Sequence, residues 1–518
     1  MASKWFRQFT TVSENIVKLL LLAVEVFLLL LSIMRTSIVS DYEEHSDYAI
    51  DNPLKHVLLV ILVGIIVFMV SKIFKSQSLK LKSCKLKPMI KRTAIILFVA
   101  NLLMALYLVQ NTQFEPLGDS SILWDIACQM HEGNYTDFQY LGYAERHFNQ
   151  MGALFFLKAL VGLVGAENQI VLQFINVAAL GIFQLCLWKI SSQLFGETVG
   201  NLTLISCVQF FPLSLYVVFT YFNLISWALI ALGIQQEISL FQTGRKRHLV
   251  IMVLAVFLAV QLKSFSWIAV IAMVIYGCYE GLRKKQFMAL FGMLVAILLV
   301  AFANTGMKSN VLSETGAKEL RTMPALGYVA MGMQESYMAP GWYNGVHDRT
   351  YLECEGKEAL MKDTFAQMIR DRVQEFKQDP GYAVRFYYHK QASQWNNPSF
   401  QGFWFGEISD AKVPVPQWIQ SMYTGPIRVK LNNYLNYLLT LIHTGVLLCL
   451  VLGFRDIRLK HLLPGIYFLG GFVFLIFWEA KCQYTLGFFI FLLAYCAYGY
   501  VRLYRLLLNY NKKGLLHE

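Results

Sequence analysis

An aspartate that follows a long apolar run is the first residue of this sequence whose type and place suit chemistry. Asp119 lies a few residues beyond the third apolar run, after Pro116 and Gly118. These two residues favour a turn that would hold the carboxylate close to the end of the run. A carboxylate in such a place can take a proton from a substrate. It can also cap a short helix, because apolar residues repeat at helical spacing over 122–130.

Two further apolar runs end in charged residues. Lys263 lies at the end of one run, and Glu479 and Lys481 lie at the end of another. A lysine within a membrane span costs about 2.5–3.5 kcal/mol at the bilayer centre, so it usually faces a cavity or a partner. Lys263 could instead extend its ammonium group to the interface. Glu479 and Lys481 could be interfacial anchors or an ion pair, so a functional role and a structural role both stay open.

A long polar segment presents aromatic residues on turns. Trp342 and Tyr343 lie between Pro340 and Gly345, and Trp395 follows later. Sugar rings can stack on exposed indole and phenol rings, because the apolar face of the sugar matches a π surface. The same side chains could instead seal the segment against the membrane interface. Arg321 and His347 could also reach a site here.

The composition indicates a membrane protein. Of the 518 residues, 56% are hydrophobic and only 15% are charged, whereas soluble proteins carry about a quarter charged residues. The net charge of +12 comes from basic residues beside apolar runs, which is typical of cytoplasmic loops and does not indicate nucleic-acid binding. The sequence has no P-loop, HExxH or GxSxG motif.

The apolar runs predict an all-α polytopic protein with about twelve transmembrane helices, because a span needs about 20 apolar residues. Residues 150–165 are apolar but short, and Lys158 interrupts them, so we expect an interfacial helix there. A polar amphipathic helix is expected near 357–378, ended by Asp379-Pro-Gly381. The predicted spans are 15–34, 55–74, 92–110, 168–189, 198–218, 222–242, 248–263, 265–281, 287–304, 432–453, 462–478 and 484–503.

The distribution of lysine and arginine predicts the orientation of the chain. The connection 35–52 is acidic and should lie outside, and 72–92 holds eight basic residues and should be cytoplasmic. With twelve spans, both termini are cytoplasmic and the two long polar segments are extracytoplasmic, in a protein of the plasma membrane. The basic residues of 72–92 are Lys72, Lys75, Lys80, Lys82, Lys85, Lys87, Lys91 and Arg92, and the tail adds Lys512 and Lys513.

Four parts of the chain follow from this topology. Residues 1–91 form an N-terminal helical hairpin with a basic cytoplasmic loop. Residues 92–304 form a transmembrane core whose external loop, 111–167, carries Asp119. Residues 305–431 form a second external loop, and residues 432–518 form the C-terminal helices and a cytoplasmic tail.

The order of these features resembles a known family. Asp119, an interfacial helix, Gly133-Asn-Tyr135 and a second interfacial helix after Tyr143 are similar to the GT-C membrane glycosyltransferases, in particular the bacterial protein O-mannosyltransferase-like group (glycosyltransferase family 39-like). The resemblance covers about 110–500 in order, without the first two spans and most of 305–431. Three further segments resemble outer-end motifs of that group: 210–224, Gln261-Leu-Lys263-Ser264 and Trp478-Glu-Ala-Lys-Cys-Gln-Tyr484.

The resemblance implies a GT-C-like fold and a sugar transfer in the outer leaflet. The sugar would come from a polyprenyl-phosphate donor and pass with inversion to a hydroxyl acceptor, which is a glycan, a lipid or a protein. A single displacement needs one base for the hydroxyl proton, and the resemblance assigns this role to Asp119. It also needs positive charge and donors around the leaving phosphate. The implied phosphate ligands are Lys263, Lys481, Gln483 and Tyr484.

The sequence departs from the family pattern at two positions. Gln483 stands where the family usually has arginine, and neutral Asn223 stands where many relatives carry an acid. A hard divalent cation needs several oxygen ligands, and Glu115 and Glu145 are the remaining acids in this region. We therefore predict no metal site and no cofactor, with a divalent cation as the less favoured alternative. The predicted acceptor or sugar contacts are Glu145, His147, Asn223, Trp342, Tyr343 and Trp395.

Two other functions stay open. A polysaccharide polymerase or O-antigen ligase-like enzyme would use pyrophosphate-linked glycans and several arginines of the second external loop. A transporter or flippase of lipid-linked sugars would need charges along a path through the spans, where we expect few ionisable groups besides Glu25, Lys158 and Lys263. The loop arginines are Arg321, Arg349, Arg370, Arg372 and Arg385.

Overall fold

The structure is a computed structural model that describes residues 4–40, 43–76 and 79–513, without the side chains of 4–7, 40, 74–76, 79–86 and 509–513. Some charges used for the predicted orientation fall outside this part, namely Asp41 and the side chains of Lys75, Lys80, Lys82, Lys85, Lys512 and Lys513. The N-terminal part contains α1 (Lys4–Met34), β1 (Arg35–Ser40), β2 (His45–Ile50), α2 (Pro53–Ser76) and α3 (Leu79–Thr112).

The remaining helices follow in four groups. The first polar segment contains α4 (Asp119–His131), α5 (Tyr143–Arg146) and α6 (Met151–Val164). Next come α7 (Val171–Phe195), α8 (Glu197–Gln209), α9 (Pro212–Leu215), α10 (Asn223–Thr243), α11 (Lys246–Leu262), α12 (Trp267–Lys284) and α13 (Met288–Thr315). The second polar segment contains α14 (Ala325–Gly332), α15 (Val346–Glu353), α16 (Glu358–Gln378), α17 (Pro380–Trp395), α18 (Trp404–Ile408) and α19 (Gln417–Tyr423). The chain ends with α20 (Pro426–Leu452), α21 (Leu463–Phe477), α22 (Cys482–Phe489) and α23 (Leu493–Lys513).

The helices confirm a polytopic α-helical membrane protein. Within the described ranges, nine helical stretches are long and apolar enough to cross a membrane, and α8 with the residues 212–218 makes a tenth if this pair, bent by 56°, is one span. The other two predicted spans correspond to α11, of 17 residues, and α21, of 15 residues. The nine are Gln8–Met34, Pro53–Ile73, Lys87–Thr112, Val171–Phe195, Asn223–Thr243, Ser264–Lys284, Met288–Thr315, Pro426–Leu452 and Cys482–Leu508.

A close contact between glycines joins two of the C-terminal spans. Gly445 of α20 faces Gly499 of α23, and a Cβ atom added to Gly499 would lie 1.9 Å from the carbonyl oxygen of Gly445. Small residues let helix backbones approach in a membrane, where van der Waals packing drives association. These two helices therefore pack backbone to backbone at this point.

The acidic connection 35–52 forms a β-hairpin, which an all-α prediction does not include. Strands β1 and β2 pair antiparallel, with Arg35 opposite Ile50. The hairpin is fixed to the second polar segment, because Ser37 N donates to Asn396 O at 3.1 Å and Ser46 N donates to Met338 O at 3.0 Å. The backbone polar groups of the hairpin are thus satisfied partly by the second polar segment.

The first polar segment contains two longer helices, α4 and α6, that pack together, with the short helix α5 between them. The predicted interfacial helix 150–165 is α6, which packs against α4 through a shared cluster of buried residues that includes Leu123, Leu154 and Leu157. Lys158, which interrupts the apolar run, donates to the Tyr135 hydroxyl at 2.7 Å. This packing gives α4 a fixed start at Asp119.

The second polar segment is mostly helical. The predicted helix 357–378 is α16, and Asp379 ends it as expected. The same aspartate caps the next helix, because its Oδ1 accepts from Tyr382 N at 2.8 Å, and Pro380 occupies the first turn of α17. Proline suits this position, since the first helical N–H groups have no partner within the helix.

Several ionisable groups are buried inside the spans. Glu25 of α1 is paired with His443 of α20 at 2.8 Å, and both are buried. Glu237 of α10 is fully buried, and neither of its carboxyl oxygens has a hydrogen-bond partner among the described residues. Glu280 is buried beside Arg283. The sequence analysis expected few ionisable groups in the spans besides Glu25, Lys158 and Lys263, and the structure adds Glu237, Glu280 and His443 as further buried groups.

Candidate active site

A cavity of about 390 Å³ opens where the ends of several helices meet both polar segments. Its walls come from five distant parts of the chain: 119–153, 221–222, 262–265, 328–348 and 478–484. Seven of the predicted site residues line it, namely Asp119, His147, Lys263, Tyr343, Lys481, Gln483 and Tyr484.

Asp119 begins α4 and points into the cavity rather than capping the helix. The residue before α4 is Gly118, whose φ of 50° lies in the left-handed region that favours glycine, and no side chain caps this helix end. The Tyr221 hydroxyl donates to Asp119 Oδ2 at 3.0 Å. The Tyr143 hydroxyl also interacts with this carboxylate. The carboxylate is exposed to the cavity, as a proton acceptor requires.

Tyr221 also holds Lys263. The Lys263 Nζ donates to the Tyr221 carbonyl oxygen at 3.1 Å, and the ammonium group lies 3.2 Å from the centre of the Tyr221 ring. Lys263 lies in the turn between α11 and the next span. Burial lowers its pKa to about 7, although the carboxylates of Asp119 and Glu479 oppose this effect. The turn at Tyr221 is tight, because Phe222 adopts a φ of 62°.

The connection between α21 and α22 supplies the opposite wall. Lys481 pairs with Glu44 of the hairpin at 2.5 Å, and the Tyr484 hydroxyl donates to Glu479 Oε2 at 3.3 Å. Burial raises the pKa of Glu479 to about 7, partly against the attraction of Lys481. Burial alone would lower the pKa of Lys481, but Glu44 and Glu479 outweigh it and hold that pKa above its usual value. Lys481 therefore stays charged at neutral pH.

Gln483 lies on the same wall as Glu479, Lys481 and Tyr484, and its side-chain oxygen accepts no hydrogen bond from the described residues. Its backbone N–H donates to Gln401 Oε1 at 3.2 Å, and its side-chain Oε1 is buried without a hydrogen-bond partner in the described part of the chain. A buried amide oxygen without a donor is costly. The side chain therefore suits a ligand that brings a hydroxyl group or another donor to this wall.

Histidines and an aspartate form the third wall. Arg146 pairs with Asp348, and the Tyr343 hydroxyl donates to Asp348 Oδ2 at 2.9 Å. His147 Nδ1 lies 3.1 Å from the Tyr328 hydroxyl. Burial lowers the pKa of His147 to about 4 and also lowers the pKa of His347. Both imidazoles are therefore neutral at physiological pH.

Four predicted site residues do not line this cavity. Glu145 is buried and bonds the Tyr351 hydroxyl at 2.7 Å. Asn223 is buried beside the cavity, where its amide donates to Gln483 O at 3.5 Å. The Trp342 ring donates to Ser393 Oγ at 2.8 Å, and Trp395 packs against Phe468 and Phe472. These side chains are internal, so Glu145, Trp342 and Trp395 do not present a contact to this cavity, and Asn223 lies behind its wall beside Lys263, Gln483 and Tyr484.

The sequence analysis missed several residues of the cavity. Tyr221 belongs to the aromatic stretch 210–224, whose ring types were noted without a role for this hydroxyl. The sequence analysis counted Glu44 only among the acids that place the connection 35–52 outside. In the structure it pairs with Lys481, which is far away in the sequence. Polar cavity residues that had no role in the sequence analysis include Arg146, Tyr221, Tyr328 and Asp348.

The cavity has two chemical halves that meet at Tyr221. One half holds a solvent-accessible carboxylate and neutral imidazoles, and the other holds Lys263, Lys481 and the Tyr484 hydroxyl. The first half can accept a proton, and the second can stabilise an anion that develops during a reaction. A substrate that loses an anionic leaving group while a nucleophile loses a proton would use both halves.

The chain is weakly similar to solved structures. An oligosaccharyltransferase from Archaeoglobus fulgidus, tethered to an acceptor peptide, is 12% identical with a TM-score of 0.43, over 78% of this chain and 49% of that protein. ArnT from Cupriavidus metallidurans, bound to undecaprenyl phosphate, is 12% identical with a TM-score of 0.34, over 79% and 77%. The chain thus spans about half the length of the oligosaccharyltransferase. No protein-family model and no curated protein matches it. At this level of similarity, the roles of the cavity residues depend on the geometry of this chain.

Proposed function

We propose that this protein is a GT-C-type membrane glycosyltransferase. It moves a sugar from a polyprenyl-phosphate donor to a hydroxyl acceptor, with inversion at the anomeric carbon. The main observation behind the proposal is that Asp119, Lys263 and Lys481 line the same cavity. These residues come from three distant segments that the sequence analysis joined only through the family resemblance.

Asp119 is the proposed base. The acceptor hydroxyl attacks the anomeric carbon from the side opposite the phosphate, its proton passes to the Asp119 carboxylate, and the bond from the anomeric carbon to the phosphate oxygen breaks. Tyr221 orients the carboxylate through its hydroxyl group. The carboxylate is exposed and lines the cavity, so an acceptor hydroxyl can reach it there.

The leaving phosphate lies against the cationic half in this proposal. Lys263 and Lys481 neutralise the charge that develops on the phosphate oxygens. The Tyr484 hydroxyl can donate a hydrogen bond to the phosphate once it no longer donates to Glu479. Gln483 brings an amide in place of the arginine of the family pattern, so Lys481 supplies the charge at this wall.

The membrane placement is also a proposal. The basic stretches Arg245-Lys-Arg247 and Arg283-Lys-Lys285 lie at the ends of α10 and α12, and the cavity lies at the other ends of the same helices. Because basic connections stay in the cytoplasm, the cavity would face the extracytoplasmic side of the plasma membrane, with both termini inside.

The two other functions receive less support. The five loop arginines do not line the cavity. The Arg321 guanidinium stacks on Tyr140, Arg372 pairs with Glu375, and Arg385 pairs with Asp379. A pyrophosphate would meet only the two lysines and Arg146, which Asp348 already neutralises. A transport path would need to join Glu25 and Glu237, and neither lines the cavity.

The test is sugar transfer by the purified protein in lipid nanodiscs. Defined polyprenyl-phosphate sugars are compared with pyrophosphate-linked glycans, with a mixture of hydroxyl acceptors, and the product is measured by mass spectrometry. Removal of a general base costs about 100-fold or more, so we expect Asp119→Asn to lose at least that. Asp125→Asn is the matched control, because Asp125 is an exposed carboxylate on the same helix, outside the cavity. Transfer by Asp119→Asn within about threefold of the wild type would contradict the proposal.

A further inference from the structure

Three metal-binding side chains converge on one wall of the cavity. His147 comes from the first polar segment, and His347 and Asp348 come from the second. One ligand atom from each lies within 4.8 Å of the other two. This spacing is that of atoms that can share one cation, and all three residues line the cavity.

The His347 side chain is the strongest sign that something binds there. It is only 4% exposed, and its Nδ1 has no hydrogen-bond partner among the described residues. The nearest carboxylate oxygen, Asp348 Oδ2, lies 3.8 Å away, which is beyond hydrogen-bond distance. A buried ring nitrogen of this kind costs free energy unless a ligand satisfies it.

Neighbouring residues hold the other two side chains in place. Arg146 and the Tyr343 hydroxyl both bond the Asp348 carboxylate. The His147 ring lies against Tyr143, with ring centres 4.4 Å apart, and its Nδ1 contacts the Tyr328 hydroxyl. Metal ligands are usually oriented by hydrogen bonds of this kind.

We infer that His147, His347 and Asp348 form a binding site for a divalent transition metal of the Zn²⁺ type. Two imidazoles and one carboxylate are a ligand set that Zn²⁺ accepts, with a remaining position open to water or substrate. The ligand set and the nearby Arg146 disfavour Mg²⁺ and Ca²⁺, because these ions need several anionic or neutral oxygen ligands. Imidazole nitrogen is a ligand that suits Zn²⁺.

This inference revises the prediction that no metal site is present. That prediction weighed only the acids near Asp119, namely Glu115 and Glu145. The second polar segment brings His347 and Asp348 to His147, which lies about 200 residues earlier. The role of the metal depends on the proposed function: it would polarise the acceptor hydroxyl in the same cavity, so that the proton passes more readily to Asp119.

Metal binding is tested without any sugar transfer. The full-length protein is purified with a histidine-free tag, stripped with a chelator, and dialysed against Zn²⁺, and the bound metal is counted by mass spectrometry. We expect about one tightly bound Zn²⁺ per chain. Titration with Co²⁺ should produce the visible absorption bands of a low-coordinate nitrogen and oxygen site. Wild-type protein that binds no Zn²⁺ and gives no such bands would overturn the inference, whatever the variants do.

Two substitutions and one control assign the site. His347→Ala and Asp348→Asn should each abolish the Co²⁺ bands and lower the Zn²⁺ count to near zero, while the proteins stay monodisperse. His45→Ala is the matched control, because His45 is a half-exposed histidine beside Asp47, and it should bind as the wild type does. Unchanged binding in both site variants would place the metal elsewhere and overturn the inference. Sugar transfer that is absent in a chain that binds Zn²⁺ would contradict the proposed function alone.

Discussion

The hydroxyl group of Tyr221 donates a hydrogen bond of 3.0 Å to Asp119 Oδ2, while the carbonyl oxygen and ring of the same tyrosine hold Lys263. One residue therefore contacts both the proposed base and one of the cations of the cavity. The two contacts use different parts of Tyr221. Substitution of the side chain can thus separate the orientation of the base from the placement of the lysine.

Tyr221→Phe should weaken catalysis without displacing Lys263. Phenylalanine keeps the backbone oxygen and an aromatic face for the ammonium group, but it removes the hydrogen bond to Asp119. A hydrogen bond to a charged group contributes about 1.5–3 kcal/mol, so we expect kcat to fall by roughly 10- to 100-fold with little change in the KM for the donor. Steady-state transfer kinetics give both values.

Tyr434→Phe is the control for this substitution. The Tyr434 hydroxyl also makes a hydrogen bond, to Gln209 O at 3.3 Å, but it lies outside the cavity. Its removal should leave kcat within about twofold of the wild type. A Tyr221→Phe enzyme with normal kcat would mean that Asp119 does not need the Tyr221 hydroxyl as an orienting donor.

The pKa of Lys263 predicts that kcat/KM for the polyprenyl-phosphate donor falls as the pH rises. Burial brings this pKa to about 7, and Asp119, Glu479 and Lys481 are the charged groups that also act on it. The ammonium form, which binds phosphate, predominates below this pH and is lost above it. Because kcat/KM reports the free enzyme, we expect it to fall roughly tenfold between about pH 6 and pH 8.

Lys263→Arg identifies the group responsible. A guanidinium stays protonated throughout this range, so the variant should lose most of the pH dependence even if its overall activity is lower. If the decline persists unchanged, it belongs to another group, such as Glu479, whose pKa is also raised to about 7.

The sequence predicts the fold better than it predicts the walls of the site. Long apolar runs fix most of the spans because about 20 apolar residues must cover the bilayer, and the short run 150–165 is indeed the short helix α6. Asp119 and Lys263 meet as the family resemblance implies, since each lies at a helix end. These are local signals that a single sequence carries.

Contacts between distant segments carry no such signal. Nothing in the sequence indicates that Glu44 pairs with Lys481 or that Asp348 lies beside Arg146, which is 202 positions away. For Trp342 the local signal is present, but it does not give the direction of the side chain. Trp342 lies on a turn as expected, but its ring donates to Ser393 inside the protein, and turn propensity does not tell an exposed ring from a buried one.

The contact between Gly445 and Gly499 predicts a packing defect. In Gly499→Ala, the new methyl group would meet the Gly445 carbonyl oxygen at 1.9 Å, so α20 and α23 must separate. Overpacking of this kind costs about 1–3 kcal/mol, and we expect a lower unfolding temperature by tryptophan fluorescence. Gly64→Ala is the matched control, because its Cβ would meet no atom within 4 Å. Since alanine favours a helix by up to about 1 kcal/mol, the control should be neutral or slightly stabilised.

The pair of Glu44 and Lys481 predicts a link between donor binding and stability. Both side chains are largely buried, at 6% and 17% exposure, so Glu44→Gln leaves a buried cation with one partner fewer. We expect the free variant to lose about 1–3 kcal/mol of stability and to unfold at a lower temperature. Polyprenyl phosphate should then raise its unfolding temperature more than that of the wild type, because the phosphate replaces the missing carboxylate.

The surface pair of Lys91 and Glu197 provides the comparison for this experiment. Its two side chains are 49% and 61% exposed, and exposed pairs contribute little, so Glu197→Gln should change neither the unfolding temperature nor the response to polyprenyl phosphate. An equal response of Glu44→Gln and the wild type would show that the phosphate does not reach Lys481. Because Lys481 supplies the charge that Gln483 lacks, that result would also remove this wall from the proposed donor site.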